Sequence, residues 1–367
     1  MKLAIISLGG KSSGMVLEEA KKYFTTVDFL NIKDIEVHAD SKDIGILYKG
    51  TPLEKYDCIY IRGSYKYLLL QRSLTTALQN DVYMPIAPSA FTIGHNKLLT
   101  LIELQKKNIP IPKTYLAITT NSAKKILEQV HYPVIMKIPF GTHGKGVMFA
   151  DSLAAAKSLL DALEVFKQPY IIQEYVGTKG REISDIRAIV VGGEVVAAMK
   201  RKAAVEELRA NIHMGAIGEP CELDYDSRQI AIRSAKAIGA DICAVDLLEG
   251  VKTVVIEINL SPGLKGITEA TKKNVARKIA KFLAEQTKLF NESKKSTGYG
   301  KIMKELEITT KNDKTKEILT NLNIKEGIIK LPRIITDITK FTPDDEIALI
   351  VKKGQLVIKK HEIEKGK

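Results

Sequence analysis

The densest constraint in the chain is a run of strand signals between Val134 and Leu260, broken by glycine turns and two helical stretches. Val134–Ile138, Tyr170–Glu174, Asp185–Val191, Glu194–Met199, Cys243–Leu248 and Thr253–Leu260 are short and rich in Val and Ile, as strands are. Gly192-Gly193 joins two of them as a tight hairpin. Leu153–Ala162 and Ser227–Ile238 carry helical periodicity between them. Strands mixed with helices and hairpins predict α+β layers and not a purely parallel sheet. The first 90 residues differ. Leu3–Ser7, a helix over Met15–Phe24, then Thr26–Leu30 and Cys58–Ile61 give a βαβ rhythm, hence a small parallel sheet. Helices are expected over Asn96–Asn108, ended by Ile109-Pro110-Ile111-Pro112, and over Glu269–Leu289. Residues 291–322 are rich in Lys, Thr, Asn and Glu and read as a linker. New strand signals follow at Ile328–Leu331, Ile347–Val351 and Gln355–Lys359, the last two around a Lys352-Lys353-Gly354 turn.

Composition excludes several classes. There is no apolar run long enough to span a membrane, and the first strand-like stretch, Lys2–Ser7, lacks the charged n-region, long apolar h-region and small-residue cleavage site of a signal peptide. Cys58, Cys221 and Cys243 are scattered, which excludes a disulfide framework or zinc ribbon and favours a cytoplasmic setting. The 56 Lys+Arg against 43 Asp+Glu leave +13, which fits either a polyanionic partner or a lysine-rich surface. Gly9, Gly10 and Gly14 lack dinucleotide-loop spacing and read as a strand-to-helix turn.

Two constellations carry chemistry. In the first, Phe140-Gly141-Thr142-His143-Gly144-Lys145-Gly146-Val147 follows a strand directly. Such a loop can wrap phosphate oxygens with backbone N–H groups, and alone it is equally an ordinary hairpin turn. Lys137, inside an otherwise apolar strand, needs either a bound anion or a route to water. In the second, Glu257 and Asn259 lie two apart on a strand and share a face. A hairpin through Glu249-Gly250-Val251-Lys252 sets Asp246 opposite Val255 and diagonal to Glu257. Two carboxylates and an amide oxygen without His or Cys suit Mg²⁺ or Mn²⁺; the alternative is a solvated sheet face. Arg187, the Lys200-Arg201-Lys202 run, Arg209 and Asn211 add a cationic cluster suited to phosphoryl transfer, or to a solvated face.

The ordered set Asn96-Lys97-Leu98, Val134–Lys137, Gly141–Gly146, Gln173-Glu174-Tyr175, Asp185-Ile186-Arg187, Glu194–Ala198, Arg209–His213, Val245-Asp246 and Glu257–Gly263 resembles the ATP-grasp superfamily, within it the RimK-like amino-acid ligases. The resemblance runs from about Met1 to Leu289. It implies an ATP-grasp fold of α/β and α+β parts: a pre-ATP-grasp α/β domain over residues 1–90 and an ATP-grasp domain of two subdomains over 91–290. It also implies the roles. Lys97 and Lys137 would bind ATP phosphates under a lid containing Gly141, Gly144 and Gly146. Glu174 and Tyr175 would form the adenine hinge, Asp185 would take the ribose side, and Arg209 and Asn211 would contact phosphates. Asp246, Glu257 and Asn259 would hold Mg²⁺ (or Mn²⁺), with Arg201 facing an acylphosphate and Arg187 beside it. The implied activity is an ATP-dependent carboxylate–amine ligase adding L-glutamate to a protein tail or to a small-molecule or cofactor acceptor. Lys200-Arg201-Lys202 stands where the family usually has Glu-Arg-Arg, which leaves the added amino acid open. Residues 323–367 resemble an AbrB/MazE-type swapped-hairpin module, a small all-β unit that dimerises and often binds DNA. That resemblance implies a homo-oligomer, DNA as a further partner, and as the alternative function a DNA-binding regulator with a nucleotide-sensing body. With ten Lys/Arg against seven Asp/Glu, that segment carries only +3, which does not demand nucleic acid.

Overall fold

A computed structural model describes residues 1–41, 44–139, 147–165, 169–177, 184–202, 217–250 and 252–296, with 323–325, 328–330, 339, 342, 345–352 and 355–360. The chain divides into two compact units, Met1–Lys301 and Ile302–Lys367.

The first unit opens with β1 (Lys2–Ser7), α1 (Lys11–Ala20), β2 (Thr26–Asn31), β3 (Ile35–Ala39), β4 (Ile44–Tyr48), β5 (Thr51–Pro52), β6 (Cys58–Ile61), α2 (Leu68–Leu78) and α3 (Pro88–Gly94). β1 is the central strand of a parallel sheet ordered β2-β1-β6. Leu3, Ala4, Ile5 and Ile6 are fully buried, as expected for a parallel strand covered on both faces. The antiparallel β3-β4-β5 meander was not foreseen: β3 carries Glu36 and His38, β4 is interrupted by Gly45, and β5 is two residues long.

Next comes α4 (Lys97–Lys106), whose Leu101 and Leu104 join the core of the first lobe, and the second lobe then runs through β7 (Thr114–Ala117), α5 (Thr120–Leu127), β8 (Val134–Lys137), β9 (Val147–Ala150), α6 (Leu153–Glu164) and β10 (Tyr170–Glu174). Asn96 caps α4, its side chain accepting from the Leu98 and Leu99 amides. The sheet is ordered β7-β10-β8-β9. Leu127, Met136, Leu160 and Ile172 form a core separate from that of the rest of the unit.

The third lobe holds β11 (Ser184–Val191), β12 (Glu194–Lys202), β13 (Ile217–Pro220), α7 (Tyr225–Ile238), β14 (Ile242–Glu249), β15 (Thr253–Asn259), α8 (Lys265–Thr271) and α9 (Val275–Ser296). The antiparallel sheet is ordered β13-β12-β11-β14-β15 and shares one core with the first lobe. Gly192 and Gly193 both take positive φ at the β11–β12 turn, and a Cβ on Gly192 would lie 2.3 Å from the Phe282 ring. The helix expected over Glu269–Leu289 is two helices, interrupted where Lys272 adopts positive φ. The second of these runs to Ser296, into the segment read as linker. No helix among the described residues is long and apolar enough to cross a membrane.

In the second unit the described strands are β16 (Asn323–Lys325), β17 (Ile328–Lys330), β18 (Ile347–Lys352) and β19 (Gln355–Lys360), paired antiparallel as β16-β17 and β18-β19. The second pair closes at Lys352 opposite Gln355, as expected from the turn signal.

Candidate active site

Cross-strand register builds one polar row across the large sheet. Asp185 lies opposite Arg201, Arg187 opposite Asp246, and Asp246 opposite Glu257, with Asn259 two residues further on the Glu257 face. This corrects the expected hairpin register. A bulge between Asp246 and Leu247 puts Leu247, not Asp246, opposite Val255. The extra residue on β15 turns the two carboxylates from diagonal into direct neighbours.

The row is held by ion pairs. Arg187 grips Asp246 bidentately, Nε to Oδ1 at 2.8 Å and Nη2 to Oδ2 at 2.7 Å. Arg201 donates from Nε to Asp185 Oδ1 at 2.7 Å, from Nη2 to Asp185 Oδ2, and from Nη2 to Asp246 Oδ2 at 3.0 Å. Asp246, Arg201 and Asp185 are all buried. Burial pushes the Asp246 carboxyl up, but the Arg187 and Arg201 guanidiniums outweigh it and hold the group below its usual range. For Asp185, burial and the Asp246 charge prevail over Arg201, and its carboxyl is raised. Both carboxylate oxygens of Asp185 are thus held by Arg201 inside the sheet.

Alternation along β12 separates Arg201 from its neighbours. Lys200 pairs with Glu249 at 3.2 Å and Lys202 with Glu219 at 3.1 Å. The lysines that replace the family's usual residues therefore point away from the row.

The second lobe brings its lysine to the same place. Lys137 Nζ donates to Gln173 Oε1 at 2.6 Å, and Gln173 Nε2 in turn to Thr114 Oγ1 at 2.9 Å. Burial and the nearby Lys97 charge push the Lys137 ammonium down to about 8, against an opposing pull from Glu257. The Lys97 amide donates to Pro139 O at 3.2 Å, fixing the start of α4 beside the end of β8. Lys97, Glu257 and Asn259 line one small cavity of about 30 Å³. Glu174 Oε1 pairs with Lys113 at 3.1 Å, and the Tyr175 ring meets Phe149 edge-on at 5.7 Å. Glu174 is the last residue of β10 and Tyr175 follows it. Gly141, Gly144, Gly146, Arg209 and Asn211 lie outside the described residues.

The donor set fits the groups expected here. Lys137 has a neutral amide as its hydrogen-bond partner, so a polyphosphate would supply a counter-charge there. Glu257 makes no ion pair within 4 Å among the described residues, and with Asn259 and Asp246 it offers the hard oxygens that Mg²⁺ prefers.

Sequence reasoning missed one wall of the site. A cavity of about 390 Å³ lies beside the row, lined by Arg187 and Arg201 and by Ser7, Lys11 and Arg62 of the first lobe. Ser7 and Arg62 sit at the carboxyl ends of parallel strands, where open α/β sheets bind ligands. A charged residue immediately after the buried strand Cys58–Ile61 was the available signal. Three bonds tie these ends to the loop after β15: Arg62 Nη2 to Pro262 O at 2.7 Å, Gly63 N to Ser261 Oγ at 2.8 Å, and Leu264 N to Ser12 Oγ at 2.8 Å.

His95, beside Lys97, sets a pH dependence. Burial lowers its imidazole to about 4, and Nε2 faces Gln71 Oε1 at 3.0 Å. The unfolded chain then binds a proton that the folded chain refuses between pH 6.5 and 4. Stability should therefore be full above about pH 6.5 and fall by about 2–3 kcal/mol as pH drops toward 4. Urea unfolding across that range should show a shallower loss in His95→Gln; an unchanged slope would refute the assignment.

Comparison with known proteins gives the family of the chain. The RimK-like ATP-grasp domain family matches residues 94–283. "Probable alpha-L-glutamate ligase 1" of Pseudoalteromonas atlantica is 34% identical over 305 residues, covering 82% of this chain and all of the relative. A "probable alpha-L-glutamate ligase" of Methanococcoides burtonii is 32% identical over 294 residues, covering 79% of this chain and 97% of the relative. Among solved structures, the ATP-grasp ligase PsnB with minimal precursor, Mg and ADP aligns with a TM-score of 0.59 at 17% identity, covering 78% of this chain and 97% of that one. The RimK domain ATP-grasp protein of Sphaerobacter thermophilus aligns at 0.59 and 15%, covering 77% and 99%. The chain belongs to the RimK-like ATP-grasp family. It is an ATP-dependent ligase that forms a C–N bond and works with ATP and Mg²⁺.

Proposed function

We propose that the enzyme joins the amine of L-glutamate to a carboxylate at the end of a peptide or small-molecule acceptor. The observation that carries this reading is the meeting of Lys97 and Lys137 with Glu257 and Asn259, two cations and two hard-oxygen donors, beside a cavity roomy enough for a substrate. The names of the relatives support glutamate as the added amino acid.

In this reading the acceptor carboxylate attacks the γ-phosphorus of ATP and ADP leaves. The glutamate amine then attacks the acyl carbon, expelling phosphate and a proton. Lys97 and Lys137 hold the phosphates, and Asp246, Glu257 and Asn259 hold Mg²⁺, which supplies charge neutralisation. Arg201 and Arg187, fixed by their aspartates, face the charge that develops on the transferred group. Side chains held in bidentate ion pairs need little reorganisation, so this chain contributes positioning and electrostatics, not a nucleophile. The test is ADP release coupled to an amide product of one added glutamate, with Mg²⁺-ATP and a panel of carboxylate acceptors. ADP release independent of both glutamate and acceptor would sink the reading.

For the C-terminal unit we infer self-association in preference to DNA binding. Ile347, Leu349, Ile350 and Val351 are 45–72% exposed on β18, and a two-stranded hairpin so apolar is marginal alone. Sedimentation should show a smaller assembly after removal of residues 302–367. An unchanged assembly would refute the inference, and lost DNA retention would favour the regulatory reading.

A further inference from the structure

Charge accounting around the large cavity leaves one buried group over. Arg187 and Arg201 are balanced by Asp185 and Asp246, and Lys265 lies 3.7 Å from Glu269. Arg62 is different. It is only 5% exposed, yet its partners are neutral: Nε donates to Ser13 Oγ at 3.1 Å, Nη1 to the Tyr60 hydroxyl at 2.9 Å, and Nη2 to Pro262 O at 2.7 Å. No carboxylate lies within ion-pair distance of it among the described residues. A guanidinium withdrawn from water without a counter-charge costs several kcal/mol. Two of its five N–H donors remain beyond those three bonds. Among the described residues the cavity it lines contains no carboxylate side chain, but does contain Lys11, which is exposed and also has no ion-pair partner among them.

The same guanidinium is fastened at both ends of its reach. Ser13 belongs to the first turn of α1, and Pro262 to the loop that follows Glu257 and Asn259. Its position relative to Arg201 across the cavity is therefore fixed by hydrogen bonds in two lobes.

We propose that Arg62 is a specificity-determining residue that receives a second anionic group of the acceptor, while the carboxylate that reacts lies at Arg187 and Arg201. This rests on the ligase reading and narrows it: the acceptor is at least a diacid, carrying one carboxylate to be activated and one to be recognised. A carboxylate at Arg62 supplies the absent counter-charge and takes the spare N–H donors, whereas a neutral amide of the same shape leaves the charge uncompensated.

The full-length enzyme can test this with two acceptors of equal size, a short peptide ending in Glu and the same peptide ending in Gln, which keeps the α-carboxylate and loses the second acid. Wild type should favour the Glu-ended peptide in kcat/KM for ADP release by about ten-fold or more. Arg62→Gln should bring that ratio near one, Arg62→Lys should restore part of it, and the KM for ATP should stay put in both. Because Arg62 also joins two lobes, Arg62→Gln could simply loosen the fold; a structural role would lower both acceptors equally and leave their ratio intact, which overturns the proposal. A wild type with no preference also overturns it while the ligase reading stands. A wild type that forms no amide with any carboxylate overturns both.

Discussion

Replacing Glu257 with alanine is expected to lower kcat/KM for Mg²⁺-ATP-dependent ADP release by about 10²–10³-fold, with little loss of stability. The reasoning begins with which carboxylate is still available. Asp246 is buried, with both oxygens on guanidiniums, so any metal there must share it with Arg187 and Arg201. Glu257, directly opposite, has no such claim on it among the described residues and is only half-buried. It is therefore the group whose charge a divalent cation would chiefly use. Glu257 is also the neighbour that favours the charged form of Lys137, whose ammonium burial and Lys97 already weaken. Its removal should lower the Lys137 pKa further, so the residual activity of Glu257→Gln should fade more steeply above neutral pH than that of wild type. Asn259→Ala, which loses one neutral oxygen, should be the milder variant. Equal rates for Glu257→Ala and wild type across the pH range would remove the metal assignment.

What could be read in advance followed the range of the interaction. Val134–Lys137 and Glu257–Asn259 were legible because a strand's two-residue period operates within a few positions. The bulge at Asp246 was not, because nothing in the β15 sequence marks which residue goes unpaired. The pairing of Asp185 was not legible for a similar reason. Its partner Arg201 lies 16 residues away and meets it only through the register of β11 on β12. Arg62 escaped notice altogether, since its meaning depends on Pro262, 200 residues distant. The N-terminal parallel sheet was foreseen from buried apolar runs, whereas the β3-β5 meander joins a polar β3 to a glycine-broken β4 and a two-residue β5, which together resemble loop. Family resemblance reached further than periodicity at Lys97, whose place beside Glu257 and Asn259 no local pattern encodes.

Arg201→Met should destabilise the enzyme by about 3–5 kcal/mol in urea unfolding at pH 8, the range for removing one partner of a buried ion pair. Asp246 keeps Arg187, but Asp185 loses the guanidinium that holds both its oxygens, and it is only 7% exposed. The sign of the pH dependence follows from its raised carboxyl pKa. A carboxyl that prefers to stay protonated in the folded state contributes most at low pH and loses that contribution as pH rises through its folded value. The Arg201→Met deficit should thus be smaller at pH 5 than at pH 8, opposite in direction to the His95 effect. Adding Asp185→Leu removes the stranded charge, so the double variant should recover about 2 kcal/mol or more relative to Arg201→Met at pH 8. ADP release should remain down by about 10²–10³-fold in both, because the recovery restores packing and not the cation that faces the transferred phosphoryl group. Additive losses in the cycle would mean that Arg201 and Asp185 do not act as a pair. Recovery of activity together with stability would remove Arg201 from the chemistry and leave it a purely structural counter-ion.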